Sequence, residues 1–125
     1  MEITPLVPEK RQIIQSYGSG RFKVSQIEYQ GSIIVLPHRT LSWSVDVLED
    51  INLQNLSPVL EEEPRIEILL IGCGKMMQLL PRDLAETCRQ KGLAIDAMDT
   101  GAACRTYNIL AAEGRRVAAA LLALG

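Results

Sequence analysis

The sequence predicts an α/β domain that contains a parallel β-α-β unit, and two aliphatic runs in its second half carry that prediction. Residues 66–72, IEILLIG, lie between a proline and a glycine pair, as expected for a strand covered on both faces. A helix opened by Pro81 separates this run from a second one at residues 93–98, LAIDAM. Because the links are short, we expect a right-handed crossover between two parallel strands.

Glycine and proline residues divide the first half of the chain into short β-prone segments, so we expect several successive strands there. Residues 32–36 form a continuous apolar run that predicts a buried strand, and residues 41–45 predict another. Residues 48–60 fit no single pattern, although Asn55 or Ser57 would serve as the N-cap of a short helix.

Two helices in the second half are each followed by a glycine. The first is expected over residues 81–91 before Gly92, and the second over residues 101–113 before Gly114. The alanine-rich segment RVAAALL at residues 116–122 fits either a continued helix by intrinsic propensity or a buried final strand. The pattern alone does not decide between them.

The length and the net charge restrict the possible classes of protein. The 125 residues fit a single domain over residues 1–125, in which residues 1–10 form an irregular lead-in with two prolines. A net charge of −2 lacks the basic footprint of a general nucleic-acid binder. No apolar run approaches the ~20 residues of a membrane helix, and no secretion signal begins the chain. We therefore expect a cytoplasmic protein without a membrane span or a nucleic-acid partner.

Small and polar residues follow both parallel strands and predict a shared rim. Gly72, Cys73 and Gly74 follow the first strand, and Asp99 and Thr100 follow the second. Ligands bind outside the carboxyl ends of parallel strands, where helix N-termini offer free N–H groups. The GCG segment lacks the third glycine of a dinucleotide fingerprint and the spacing of a P-loop. A tight turn that needs glycine is therefore the structural alternative to a binding site.

The helix expected over residues 101–113 carries further candidates. A helical wheel places Arg105 and Asn108 on a solvent-facing arc, where they and Asp99 could hold a small polar ligand. Cys104 lies near the helix N-terminus and beside Arg105, so its pKa would be lowered if the thiol were exposed. Asp99 is also well suited as the N-cap of this helix, and this structural role accounts for the residue without a ligand-binding role. The apolar side of the wheel contains Ala103, Tyr107 and Leu110, flanked by Ala102 and Ile109.

Thr106 and Glu113 fall inside the apolar sector of that wheel. A buried carboxylate must be paired or its pKa must rise, and Arg115 or Arg116 would be the partner of Glu113. We prefer a helix-to-strand corner clamped by Glu113 and an arginine over a catalytic glutamate.

The sequence lacks the residue sets that metal binding and nucleophilic catalysis require. His38 is the only histidine and no CxxC is present, so a closed zinc site is hard to build. We expect free, buried thiols, no metal and no cofactor. Residues 75–77 are expected to pack at the entry of the first helix rather than to form a cofactor box. The cysteines are Cys73, Cys88 and Cys104.

The runs ILLIGCG and LAIDAMDTGAACRTYNILAAEGRRVAAALL, with YGSGRF and GSIIVLP upstream, resemble one family of small domains. It includes mitochondrial complex I assembly factor 3, an adipogenesis-associated domain-containing protein and uncharacterised bacterial proteins. The resemblance implies a three-layer α/β sandwich with a central mixed sheet in which RVAAALL is an antiparallel final strand, and we expect an N-terminal hairpin layer beside it. Cys73 departs from the family, where threonine is common, and this argues against a required hydroxyl at this position.

For the mitochondrial member, the resemblance suggests a role in assembling respiratory NADH:ubiquinone oxidoreductase through protein contacts. We therefore expect a non-enzymatic interaction or assembly module with a protein partner, acting through the strand-end rim and the Arg105/Asn108 surface. The alternative is an enzyme or sensor that binds a small polar or anionic metabolite at the rim. Exposed edge strands in the N-terminal part leave a homodimer open.

Overall fold

A five-stranded mixed sheet lies at the centre of the molecule. The computed structural model describes residues 11–124, so the expected irregular lead-in at residues 1–10 lies outside the described residues. The central sheet has the order β5-β4-β8-β6-β7, and a separate antiparallel sheet has the order β1-β2-β3. The strands are β1 (Ile14–Gly18), β2 (Arg21–Val24), β3 (Ile27–Gln30), β4 (Ile33–Val35), β5 (Thr40–Ser42), β6 (Ile68–Gly72), β7 (Ala94–Met98) and β8 (Val117–Leu121).

The parallel β-α-β prediction is confirmed. Strands β6 and β7 are parallel neighbours, and they are joined through the helix α2, Arg82–Gln90. The other helices are α1, Ser57–Leu60, and α3, Thr100–Ala112, and a short 3-10 turn covers Leu48–Asp50.

The alanine-rich segment after Gly114 is the strand β8, not a helix. Gly114 has a φ of 77°, which ends α3 in the left-handed region that glycine favours. All five residues of β8 are buried because the strand lies in the middle of the sheet. It is antiparallel to β4 and parallel to β6, which makes the sheet mixed. Burial on both faces therefore outweighs the helical propensity of alanine.

Two layers cover the central sheet and complete a three-layer sandwich. One layer consists of α3 and the small β1-β2-β3 sheet, whose Phe22 and Val24 pack with Tyr107 of the helix. The other consists of α2, α1 and the connections around them, where Leu84 and Cys88 pack onto the sheet. The fold class expected from the sequence is therefore confirmed. The expected antiparallel orientation of the final strand holds only toward β4, because β8 runs parallel to β6.

The connection between β5 and β6 differs from the expected pattern. Strand β5 is shorter than residues 41–45, because Trp43 leaves it and its indole N–H donates to the Asn55 carbonyl at 2.9 Å. Neither Asn55 nor Ser57 caps α1 through its side chain, and the N-cap residue is Leu56. The Asn55 side chain instead accepts a hydrogen bond from the Asn52 N–H at 2.9 Å and stabilises the loop.

Asn108 joins α3 to the small sheet, so the expectation that it faces solvent is wrong. Its side-chain oxygen accepts from the Ile14 N–H at 2.9 Å, and its amide nitrogen donates to the Ile14 carbonyl at 2.8 Å. The amide thus replaces a neighbouring strand at the open edge of β1. Because β1 covers this side of α3, the exposed arc is centred on Ile109, which is 59% exposed.

We predict that Asn108→Ala lowers the free energy of unfolding by about 2 kcal/mol, because it leaves the half-buried Ile14 N–H and carbonyl without partners. Urea denaturation of both proteins measures the difference. Gln30→Ala, at an exposed strand position, is the control and should change stability by less than about 0.5 kcal/mol. Equal stability of the Asn108→Ala and Gln30→Ala proteins would contradict the role of the amide.

Candidate functional site

The carboxyl ends of β6 and β7 meet and form the expected strand-end rim. The Cys73 N–H donates to the carbonyl of Met98 at 2.8 Å, and the Thr100 N–H donates to the carbonyl of Gly74 at 2.8 Å. The structure therefore brings together all five rim residues named from the sequence, Gly72, Cys73, Gly74, Asp99 and Thr100.

Thr100 closes this rim from the inside. Its side chain is fully buried, and its hydroxyl donates to the Leu122 carbonyl at 2.8 Å and accepts from the Gly74 N–H at 2.9 Å. The Leu122 N–H in turn donates to the Gly72 carbonyl at 2.9 Å. The hydroxyl thus uses its proton and one lone pair to connect three segments of the chain.

Gly72 is required by packing against Thr100. A Cβ atom at Gly72 would lie 2.9 Å from the Leu121 side chain and 3.0 Å from the Thr100 hydroxyl oxygen. Gly74 has a φ of 96°, a left-handed conformation that lets the chain turn after β6. The two glycines therefore satisfy a tight turn and a close approach, as the structural alternative for GCG predicts.

Asp99 is the N-cap of α3, which confirms its structural interpretation. One carboxylate oxygen accepts from the Ala102 N–H at 2.8 Å. The carboxylate therefore supplies an acceptor for one of the N–H groups that would otherwise be free for a ligand at this helix end.

Cys104 is buried, so the condition for a reactive thiol is not met. Only 2% of the residue is exposed, and burial raises its pKa to about 12 even though Arg105 opposes the shift. Burial also raises the pKa of Cys73 and Cys88. All three cysteines are free thiols, as expected from the sequence.

The Arg105/Asn108 surface expected from the wheel is divided by the fold. Asn108 is bound to β1, whereas Arg105 is exposed and donates to the Tyr17 hydroxyl at 3.0 Å. The Tyr17 ring lies over Gly101, where an added Cβ would come within 2.7 Å of the phenol oxygen. Of the two side chains, Arg105 alone faces solvent.

The expected inward position of Glu113 is wrong. Glu113 follows the last residue of α3 and is exposed, with Arg115 loosely paired to it at 4.0 Å. Arg116 pairs instead with Glu67 and holds the pKa of that carboxyl below its usual range by a hydrogen bond and by charge. Because α3 ends at Ala112, the wheel no longer applies to Glu113.

The segment after the rim presents apolar side chains to solvent, contrary to the expected packing of residues 75–77. Met76, Met77 and Leu79 are 73%, 55% and 83% exposed. These three residues are called the Met/Leu loop below. The sequence signal was present in KMMQLL, an apolar segment between a glycine turn and Pro81, but its exposure depends on the tertiary fold.

A cavity of about 290 Å³ lies between the rim and the 3-10 turn. Asp46 and Glu49 line it together with Gly74 and Gln78. Within residues 11–124 no three His, Cys, Asp or Glu side chains converge closely enough to hold a metal ion. The helices of the described segment are also too short or too polar to cross a bilayer.

The fold and the rim define a three-layer α/β domain whose strand-end polar groups bond to one another. The family described as "Protein of unknown function (DUF498/DUF598)" matches residues 14–122, and the chain belongs to this family. It is 39% identical over 109 residues to NADH dehydrogenase (ubiquinone) 1 alpha subcomplex assembly factor 3 of Xenopus tropicalis. This match covers 87% of the chain and 60% of that protein, so the chain spans less than two thirds of that relative's length.

Bacterial proteins are also similar to the chain. An uncharacterised protein of Rhodobacter capsulatus is 29% identical over 109 residues, which cover 87% of this chain and 82% of that protein. A crystal structure of an outer membrane protein from Bartonella henselae has a TM-score of 0.84 at 39% identity and covers 92% of this chain and 97% of that one. The family resemblance seen in the sequence is confirmed.

We predict that iodoacetamide leaves the folded protein unmodified at pH 8 and alkylates all three cysteines in urea. With a pKa of about 12, roughly one Cys104 thiol in 10⁴ is ionised at pH 8, and burial blocks access. Mass spectrometry counts the adducts. Ser42→Cys places a thiol at an exposed strand position and should be alkylated in the folded state. Rapid native alkylation of Cys104 would show that the helix end opens.

Proposed function

We propose that this chain is a protein-binding module that acts in the assembly of a respiratory NADH dehydrogenase without catalysing a reaction. The exposure of the Met/Leu loop carries the proposal. Three large apolar side chains within four residues are held at the surface of the fold, next to the strand-end rim. Exposed apolar clusters of this kind are typical of surfaces that a partner covers.

The chemistry of the loop supports binding to a protein rather than to a small molecule. Met76 and Met77 have flexible, polarizable side chains that adapt to different apolar surfaces. Covering a methionine or leucine side chain on binding stabilises a complex by about 1.5–3 kcal/mol. The loop therefore supplies binding energy for a partner that presents an apolar surface.

The cellular process in the proposal, assembly of NADH dehydrogenase, comes from the names of the relatives. Assembly factor 3 of Xenopus tropicalis is named for NADH dehydrogenase assembly, and it shares the folded region of this chain. An assembly factor must bind a partially built complex and later leave it, which suits a small apolar loop on a stable domain. The assembly role is transferred to this chain as part of the proposal.

The alternative function, binding of a small polar or anionic metabolite at the rim, has less support. The Thr100 hydroxyl and one carboxylate oxygen of Asp99 form hydrogen bonds within the fold, at 2.8–2.9 Å from their partners. The cavity beside Gly74 is lined by the carboxylates of Asp46 and Glu49, which repel an anion. Arg105 lies exposed on α3, where its guanidinium donates to the Tyr17 hydroxyl.

We predict that cells lacking this protein accumulate less assembled NADH dehydrogenase, and that the wild-type chain restores it. A variant with Met76→Ser, Met77→Ser and Leu79→Ser should fold normally but fail to restore assembly, because the loop makes no core contact. Native gels stained for NADH oxidation measure the assembled complex.

Ile109→Ser is the matched control, since Ile109 is similarly exposed but lies on α3. It should restore assembly as the wild type does. Normal assembly in the deletion cells would refute the assembly role, and full rescue by the triple variant would refute the role of the loop.

A further inference from the structure

Strand β7 leaves one edge of the central sheet without a neighbour. The Ala94 N–H donates to the Glu67 carbonyl at 2.9 Å, and the Met98 carbonyl accepts from the Cys73 N–H at 2.8 Å. Since alternate residues of a strand face opposite edges, the N–H and carbonyl groups of Ile95 and Ala97 point outward. Nothing within the described part of the chain pairs with this edge.

A groove of about 490 Å³, lined by both apolar and charged residues, runs along the same edge. Ile95, Ala97 and Ala85 line its inner side, and Met77 and Leu79 of the Met/Leu loop line it as well. Its polar lining residues are Gln78, Arg82, Glu86, Arg89 and Asp96. The groove thus connects the unpaired N–H and carbonyl groups of Ile95 and Ala97 to the exposed Met/Leu loop.

We propose that the β7 edge and this groove bind one extended segment of the partner protein, which adds to the central sheet as a sixth strand. This inference rests on the proposed protein-binding function and identifies the form of the bound partner. Backbone hydrogen bonds to Ile95 and Ala97 supply register, and apolar side chains in the groove supply affinity.

The side-chain pattern of the bound segment follows from strand alternation. Residues opposite Ile95 and Ala97 point to the α2 side, where they would pack beside the apolar side chains of Ile95, Ala97 and Ala85. The residue between them points to the other face, opposite Asp96, which is exposed and belongs to none of the ion pairs within residues 11–124. A lysine or arginine fits there, so the segment has the pattern apolar–basic–apolar.

A second copy of this chain does not fit the edge. The antiparallel self-pairing that uses all four outward groups centres on Asp96 and places it directly opposite Asp96 of the other copy. Like charges directly opposite each other destabilise a strand pair. Asp96 therefore acts against dimerisation at this edge.

The opposite edge of the sheet offers less to a partner strand. Strand β5 has three residues, whereas β7 has five, and short edge strands are a common protection against unwanted pairing. Met77 and Leu79 of the Met/Leu loop also lie on the β7 side, among the residues of the groove. These differences favour β7 as the docking edge.

The test uses the full-length ¹⁵N-labelled chain and a synthetic peptide, acetyl-Ser-Thr-Thr-Val-Lys-Val-Thr-Thr-Ser-amide. We expect NMR shift changes concentrated at the amides of Ile95 and Ala97 and at the Met/Leu loop. A control peptide with glutamate in place of the lysine should bind roughly fivefold more weakly, because it opposes Asp96. Asp96→Lys should reverse this preference.

Ala97→Pro provides a second test, because it removes an outward N–H at an edge position where proline is tolerated. It should lower peptide affinity at least about tenfold, the effect of losing one hydrogen bond with its partner left unpaired. If Ala97→Pro does not fold, the proposal is tested by the Asp96→Lys protein alone, which should prefer the glutamate peptide to the lysine peptide. Shift changes confined to another surface, or equal binding of both peptides to wild-type and Asp96→Lys proteins, would overturn the proposal.

Two outcomes separate this inference from the proposed function. If folded Ala97→Pro restores NADH dehydrogenase assembly while the triple loop variant does not, the loop binds a partner but no strand is added. If the peptides bind as expected and the deletion cells assemble the complex normally, strand addition stands and the assembly role fails. Protection of the Ile95 and Ala97 amides at high protein concentration without peptide would indicate a second copy instead.

Discussion

The buried hydroxyl of Thr100 is the interaction on which the arrangement of the strand ends depends. It joins the turn after β6, the first residue of α3 and the chain after β8 through the Gly74 N–H and the Leu122 carbonyl. Without it two polar backbone groups would lose their partners, at roughly 1–3 kcal/mol each. Gly72 has no side chain because this connection leaves no room for one.

This connection changes the interpretation of the polar segment MDTGAACRTYNILAAEGRR from a binding site to a structural element. Its density of polar residues suggests a binding site, yet most of these groups bond within the fold. Asp99 caps α3, Asn108 completes the edge of β1, and the buried Tyr107 hydroxyl donates to the Leu36 carbonyl at 3.2 Å. The β7 edge with the Met/Leu loop offers unpaired backbone together with exposed apolar side chains.

The sequence predicted those features that depend on local pattern. The aliphatic runs, Pro81 and the helix-ending glycines were enough for the parallel β-α-β unit and for the meeting of the rim residues. The residues of β8 left its structure undecided, because a central strand made of alanine looks locally like a helix. The family resemblance supplied the strand there.

The errors have a common physical cause, which is contact between parts of the chain distant in sequence. The helical wheel placed Asn108 in solvent because β1, which covers it, is separated from α3 by most of the chain. Met76 and Met77 were expected to pack, but β7 and α2 leave their loop uncovered. Patterns of polarity report which residues prefer burial, and the tertiary fold decides which residues are buried.

The central claim is that the strand-end rim is closed and the β7 edge is open, and amide hydrogen exchange of the folded protein tests both at once. The Gly74 and Leu122 amides should exchange only through large-scale unfolding, whereas the Ile95 and Ala97 amides should exchange rapidly. Rapid exchange at Gly74 together with protection at Ile95 and Ala97 would contradict the account, because the rim would then be the accessible surface.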